Sequence, residues 1–197
     1  MESLKRFAEI LVPDPRQLDF VLVDNSTGTM RPTELKDLYG EAEKLVLHQN
    51  VPEAVRYHFE NARNLLVYSW FHYPFNSLAM FHGFIAVEKA LKIRAGKPRA
   101  MLGTLLPLAV KQGWIKDEEF TFGRAQIARR KTPPDNSQTS VAQDTRTYCE
   151  ILMDSMPNLR NTFAHGEVFL HNGWATSMLI CAELINQLFP QPSDQRQ

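Results

Sequence analysis

The sequence predicts an all-α protein: an up-and-down four-helix bundle with small accessory helices and a short N-terminal strand. Three observations point there. Apolar residues recur at helical spacing through most of 51–189. The stretch from Asn64 to Val87 holds no Lys, Arg, Asp or Glu, as buried helices would. Only 18–24 (Leu-Asp-Phe-Val-Leu-Val-Asp) reads as a strand.

Composition narrows the class. The chain has 197 residues, with 22 Lys+Arg against 22 Asp+Glu and 44% hydrophobic residues. That apolar share excludes a disordered chain, and the length suits one domain with an appended element. The 9 Gly and 12 Pro are ordinary, which removes collagen-like and linker-like readings. Balanced charge excludes a generic polycation, so a nucleic-acid contact would need a local basic patch. Cys149 and Cys181 are too few for a disulfide framework or a Cys-based zinc site. Residues 1–13 hold no apolar run suited to a signal peptide, so a cytoplasmic protein is expected.

The elements follow in chain order. After the strand, Asn25-Ser26-Thr27-Gly28 is a turn signal. Thr33 can cap a helix to about His48 with Leu35, Leu38, Ala42 and Leu45 in its stripe. A helix over 51–71 carries Val55, Phe59, Ala62, Leu66 and Trp70 on one track. Tyr73-Pro74 marks a corner, because a residue before proline avoids the helical region. The corner and its polar neighbours favour two buried helices over a membrane span. The next helix, 75–95, is apolar on most sides and belongs in the centre. Shorter helices fit 104–112, closed by Gly113, and 117–130. The polar stretch Lys131 to Ala142 reads as an exposed loop. A helix over 143–165, kinked or broken near Pro157, precedes the last one at 174–189. The expected division is therefore an extension over 1–50, made of a short strand or hairpin plus a helix, a helical domain over 51–189 with a mobile loop at about 131–142, and a flexible tail over 190–197.

The densest polar cluster is Asn158-Leu159-Arg160-Asn161-Thr162-Phe163-Ala164-His165-Gly166. At about 100° per residue, Leu159 and Phe163 share the core side, while Asn161 and His165 share a direction pointing away. Arg160 lies between, and Gly166 is placed to end the helix. Such a polar set invites a cleft or partner surface. The same residues also suit a plainer role, with His165 complementing the helix dipole and Arg160 forming a surface ion pair.

The segment Leu159-Arg160-Asn161-x-x-Ala164-His165-Gly166 resembles the Arg-(four to six residues)-His motif of the HEPN superfamily, the higher eukaryotes and prokaryotes nucleotide-binding domains. The Ala62-Arg63-Asn64-Leu65-Leu66 helix, the Ala86-Val87-Glu88-Lys89-Ala90-Leu91-Lys92 helix and the Leu105 to Ile115 segment support the resemblance, which covers about 51–189. It implies a HEPN-like homodimer in which Arg160 and His165 meet across the interface, with Asn161 in support. Many members of that superfamily cleave RNA without metal; others are toxins, CRISPR-associated nucleases or non-catalytic partners.

The chemistry is coherent. A histidine near its ordinary pKa of about 6.5 moves protons at neutral pH, and a guanidinium neutralises charge gathering on a phosphorane. The expectation is thus a metal-independent endoribonuclease using 2′-hydroxyl attack, with no cofactor, in a toxin, defence or RNA-processing role. Its partners would be a second copy, RNA and an antitoxin or other protein, with no membrane. The alternative is a non-catalytic helical dimer that binds a nucleotide or a protein. Glu88 is a supporting candidate, paired either with Arg160 or with Lys92 at i,i+4. Arg124, Arg129, Arg130, Lys131 and Arg146 form a basic patch suited to a phosphate backbone or simply to a solvated surface. Three further motifs are weak. His165-x-Glu167 lacks a following Pro-Cys-x-x-Cys; His165, Glu167 and His171 make a poor zinc set; and Cys149 sits at a core-facing position.

Overall fold

A computed structural model describes residues 3–24, 26–131, 145–165 and 174–191. Within them the protein is mostly helical with one two-stranded sheet. The expected loop beyond Lys131, the helix stop at Gly166, and the tail from residue 192 lie outside the described residues.

Helix α1 (Pro15–Leu18) precedes a hairpin of β1 (Val21–Val23) and β2 (Met30–Pro32), and α2 spans Leu35–Lys44. The chain continues with α3 (Glu53–Tyr68), α4 (Phe75–Ala95), α5 (Leu102–Lys111), α6 (Thr121–Lys131), α7 (Tyr148–Ala164) and α8 (Trp174–Leu188). Helix α4 matches its expected range and packs against α3, α5, α7 and α8. Its buried residues, from Asn76 and Ala79 through Phe84 and Val87 to Leu91, leave it no wholly wet face. Small side chains make the close packing feasible: a Cβ on Gly83 would sit 3.0 Å from Met178 Sδ and 3.3 Å from Cys181 Sγ of α8. Val55, Phe59, Ala62 and Leu66 bury the facing stripe of α3. Each such side chain stabilises the fold by roughly 1.5–3 kcal/mol, except the smaller alanine.

Several expectations are corrected. Helix α2 begins after Glu34, whose N–H donates to Asp37 Oδ2 at 2.8 Å; Thr33 is not the cap, and the helix ends at Lys44 rather than near His48. Helix α7 runs through Pro157 without a break. The strand expected over 18–24 is confined to 21–23 and pairs with β2, so of the strand and hairpin alternatives the extension forms the hairpin. The corner at Tyr73-Pro74 is present between α3 and α4. Among the described residues, no helix is long and apolar enough to cross a membrane.

The extension is fastened across that corner. Asp14 accepts the Tyr73 N–H at 2.9 Å and the Arg16 guanidinium at 2.8 Å. Gln17 Nε2 donates to the Ser69 carbonyl at 3.0 Å, and Phe20 stacks on Tyr73. Farther along, Asn186 of α8 holds the linker before α3, accepting from the His48 N–H at 2.8 Å and donating to the Val46 carbonyl at 2.9 Å.

Burial pushes the Asp14 carboxyl up, but the Arg16 side chain and the Tyr73 amide outweigh it and hold the pKa at about 2. An unfolded aspartate titrates near 3.9, so this stabilisation is complete above about pH 4 and disappears as pH falls toward 2. Asp14→Asn is expected to cost about 2 kcal/mol at pH 7, with the difference from wild type closing by about pH 2. Urea melts across that range would refute the linkage if the gap stayed constant.

Candidate functional site

Helix α7 carries the candidate motif. Thr147 caps it, accepting from the Glu150 N–H, while Glu150 accepts from the Thr147 N–H at 2.7 Å. Arg160 meets Glu88, and one turn later Phe163 meets Phe84, so α7 descends α4 toward the end where α4 begins. His165 therefore lies toward the same end as the corner that holds the extension. Leu159 and Phe163 pack on the core, whereas Asn161 and His165 are exposed.

Glu88 has both expected partners. Its side chain is 12% exposed, with Lys92 Nζ at 2.6 Å from Oε1 and Arg160 Nε at 3.2 Å from Oε2. The contact with Lys92 is a hydrogen bond. That with Arg160 is an ion pair only, because the buried Nε makes no hydrogen bond despite its proximity to the carboxylate. Arg160 Nη1 donates a long 3.4 Å bond to Asn161 Oδ1. The carboxylate thus aligns the Arg160 stem along α4, while 28% of that side chain stays accessible.

His165 follows the last helical residue. Its backbone N–H donates to the Asn161 carbonyl at 2.9 Å. The residue is exposed, and its imidazole has no hydrogen-bond partner among the described residues. His165 lies five positions after Arg160, with four residues between, which is about 7.5 Å of rise and roughly 140° of rotation. The two side chains diverge from the same helix.

The basic patch occupies the other end of α7. Arg124, Arg129, Arg130 and Lys131 lie exposed on α6, and Arg146 lies just before α7. Arg130 Nη2 donates to the Arg146 carbonyl at 2.6 Å, and Arg146 pairs with Asp154 at 3.4 Å. Some 19 residues of mostly helical rise put Arg146 about 28 Å from His165 along the axis. Within one chain, patch and motif are therefore separate surfaces.

The remaining candidates do not assemble. Burial raises the Cys149 thiol, and its contact with Asp117 raises it further, leaving a poor nucleophile; burial alone pushes Cys181 up to about 12. Among the described residues there is no cluster of three or more metal-ligating side chains, and Glu167 and His171 lie outside them.

Two features escaped the sequence reading. A cleft of about 360 Å³ lies between the hairpin and α2, with Phe20, Val21, Leu22, Leu38 and Trp174 in its walls and Lys36, Glu41 and Lys44 among its charged residues. In addition, His58 of α3 and His82 of α4 stand with ring centroids 6.4 Å apart. Burial, then the neighbouring His58, lowers the His82 pKa. Neither feature has a one-dimensional signature, since each unites residues from separate elements.

Taken together, fold and site define a mostly helical protein with one two-stranded sheet, bearing an exposed histidine beyond a carboxylate-held arginine. No family model, curated protein or solved structure matches this chain.

Proposed function

We propose that this chain is a HEPN-type, metal-independent endoribonuclease whose four-helix bundle is formed by α3, α4, α7 and α8. One observation carries the reading: Glu88 steadies Arg160 while leaving it partly accessible, five residues before an exposed His165. In a two-fold dimer, the Arg160 of each copy neutralises phosphorane charge and the two histidines act as base and acid. The 2′-hydroxyl loses its proton to one imidazole and attacks the adjacent phosphorus. The 5′-oxygen leaves with a proton from the other, giving a 2′,3′-cyclic phosphate and a 5′-hydroxyl. Asn161 borders the site through its contact with Arg160. The α6 patch, with Arg124, Arg129, Arg130, Lys131 and Arg146, binds the strand beyond the reacting phosphate.

Incubation of the purified chain with mixed RNA in EDTA is expected to yield fragments ending in 2′,3′-cyclic phosphate, while DNA remains intact. Cleavage only with added divalent metal would overturn the mechanism. The divergence of Arg160 and His165 within one chain favours one second reading, a helical dimer used as a nucleotide-binding or protein-interaction module. Intact RNA after incubation with a demonstrated dimer would select it.

A further inference from the structure

The hairpin has one open edge and one obstructed edge. Strand β1 pairs with β2 antiparallel in the register Val21↔Pro32, Leu22↔Arg31 and Val23↔Met30. The bonds Thr33 N–H to Phe20 O and Asp24 N–H to Thr29 O fix the phase of this ladder. Phe20, Leu22 and Asp24 therefore turn their main-chain groups toward β2, and Val21 and Val23 turn theirs outward. Those outward groups have no partner among the described residues, and both valines are exposed. On β2 the outward residues are Met30 and Pro32, and proline has no N–H to offer. Val21 and Leu22 also border the cleft between the hairpin and α2.

We infer that the free edge of β1 joins two copies of this chain into a four-stranded antiparallel sheet, with the two-fold axis at Leu22. This deepens the dimeric reading above and rests on it. The sequence Val21-Leu22-Val23 is its own match about that axis. Val21 then faces the partner's Val23, and Val23 faces the partner's Val21. Because these are the outward residues, this register forms four N–H···O bonds. Leu22 meets the partner's Leu22 at the closer, non-hydrogen-bonded position. Asp24 falls opposite the partner's Phe20, so no like charges oppose each other across the new ladder. Pro32 limits growth at the far edges, which makes the assembly a closed dimer rather than a fibre. Since β1 is tied to the corner where α4 begins, such pairing draws together the ends of the two copies toward which each His165 lies.

The full-length chain at tens of micromolar is expected to sediment as a dimer. Val21→Pro removes an outward N–H without touching the hairpin's own bonds, and Leu22→Lys sets two charges face to face. Each variant should be monomeric with unchanged far-ultraviolet circular dichroism, and Met30→Lys should stay dimeric. If Val21→Pro fails to fold, Leu22→Lys decides. Under mild oxidation, Leu22→Cys should become a disulfide-linked dimer in most molecules, whereas Val21→Cys should link far less, because its opposite residue is Val23. A monomeric wild type, dimerisation that survives Leu22→Lys, or failure of Leu22→Cys to link would each overturn the inference. Dimerisation through another surface with RNA cleavage retained would reject this edge alone. Cross-linking at Leu22 without RNA cleavage would reject the nuclease reading alone.

Discussion

His165→Ala and Arg160→Ala are each expected to reduce RNA cleavage about 10²-fold or more, while thermal melts stay close to wild type for His165→Ala. The histidine is exposed and contributes nothing to the core. Arg160→Ala carries a modest stability loss as well, since it removes the ion pair to Glu88. Rates should therefore be compared at temperatures where both variants are fully folded. Arg160→Lys separates charge from shape: a lysine keeps the positive charge but not the planar fork, so partial recovery would assign the role to electrostatics. Because the base and the acid come from the two copies, a hybrid of His165→Ala with Arg160→Ala has only one histidine, and mixing the two variants is expected to leave cleavage low. Unchanged activity of either single variant would remove that residue from the mechanism.

The second large effect concerns Glu88. Its carboxylate sits between Lys92 and Arg160 and is 12% exposed, so Glu88→Ala leaves two cations near one another without their anion. The expected cost is about 2–3 kcal/mol, measured by denaturant melts. Glu88→Gln should lose less because it preserves shape and one acceptor oxygen. In a cycle with Arg160→Ala, the double variant should be more stable than the sum of the two single losses predicts, by about 1 kcal/mol. Strict additivity would mean that the 3.2 Å approach carries no energy. Cleavage by Glu88→Ala should also fall, through loss of Arg160 positioning.

How far the sequence discloses these features depends on whether the signal is local. Helix α4 is plain from the amino acids because its apolar residues cover every direction of the helical wheel, a pattern no surface element tolerates. The stripe of α3 is equally direct. Strand β2 is hidden because Met-Arg-Pro has neither alternation nor strong strand propensity; it is held by its partner across the turn. Pro157 suggests a break because it lacks an N–H, yet α7 continues, with the ring near α5, where a Cβ added to Gly103 would meet it at 3.8 Å. For the site, helical spacing correctly separates the core-facing Leu159 and Phe163 from Asn161 and His165. Spacing cannot reveal which helix faces Arg160, since Glu88 is 72 positions away; only the Lys92 contact is local. The distance between the α6 patch and His165 is likewise a property of the assembled chain.

Asn186 imposes an order on the birth of the molecule. Its amide supplies partners to the backbone at Val46 and His48, about 140 positions earlier in the chain. During synthesis, therefore, the extension and α3–α4 emerge long before the residue that joins them to α8. Residues 69–73, which receive Asp14 and Gln17, emerge early enough for the extension to settle on the corner well before synthesis ends. The linker between them must wait for the last helix to leave the ribosome. A ribosome halted before residue 186 would hold a nascent chain whose extension can already be fastened at the corner but whose linker at Val46 and His48 still lacks its Asn186 partner. Closing that long loop late places an entropic cost at the end of assembly, where the packing of α8 on α4 is available to offset it.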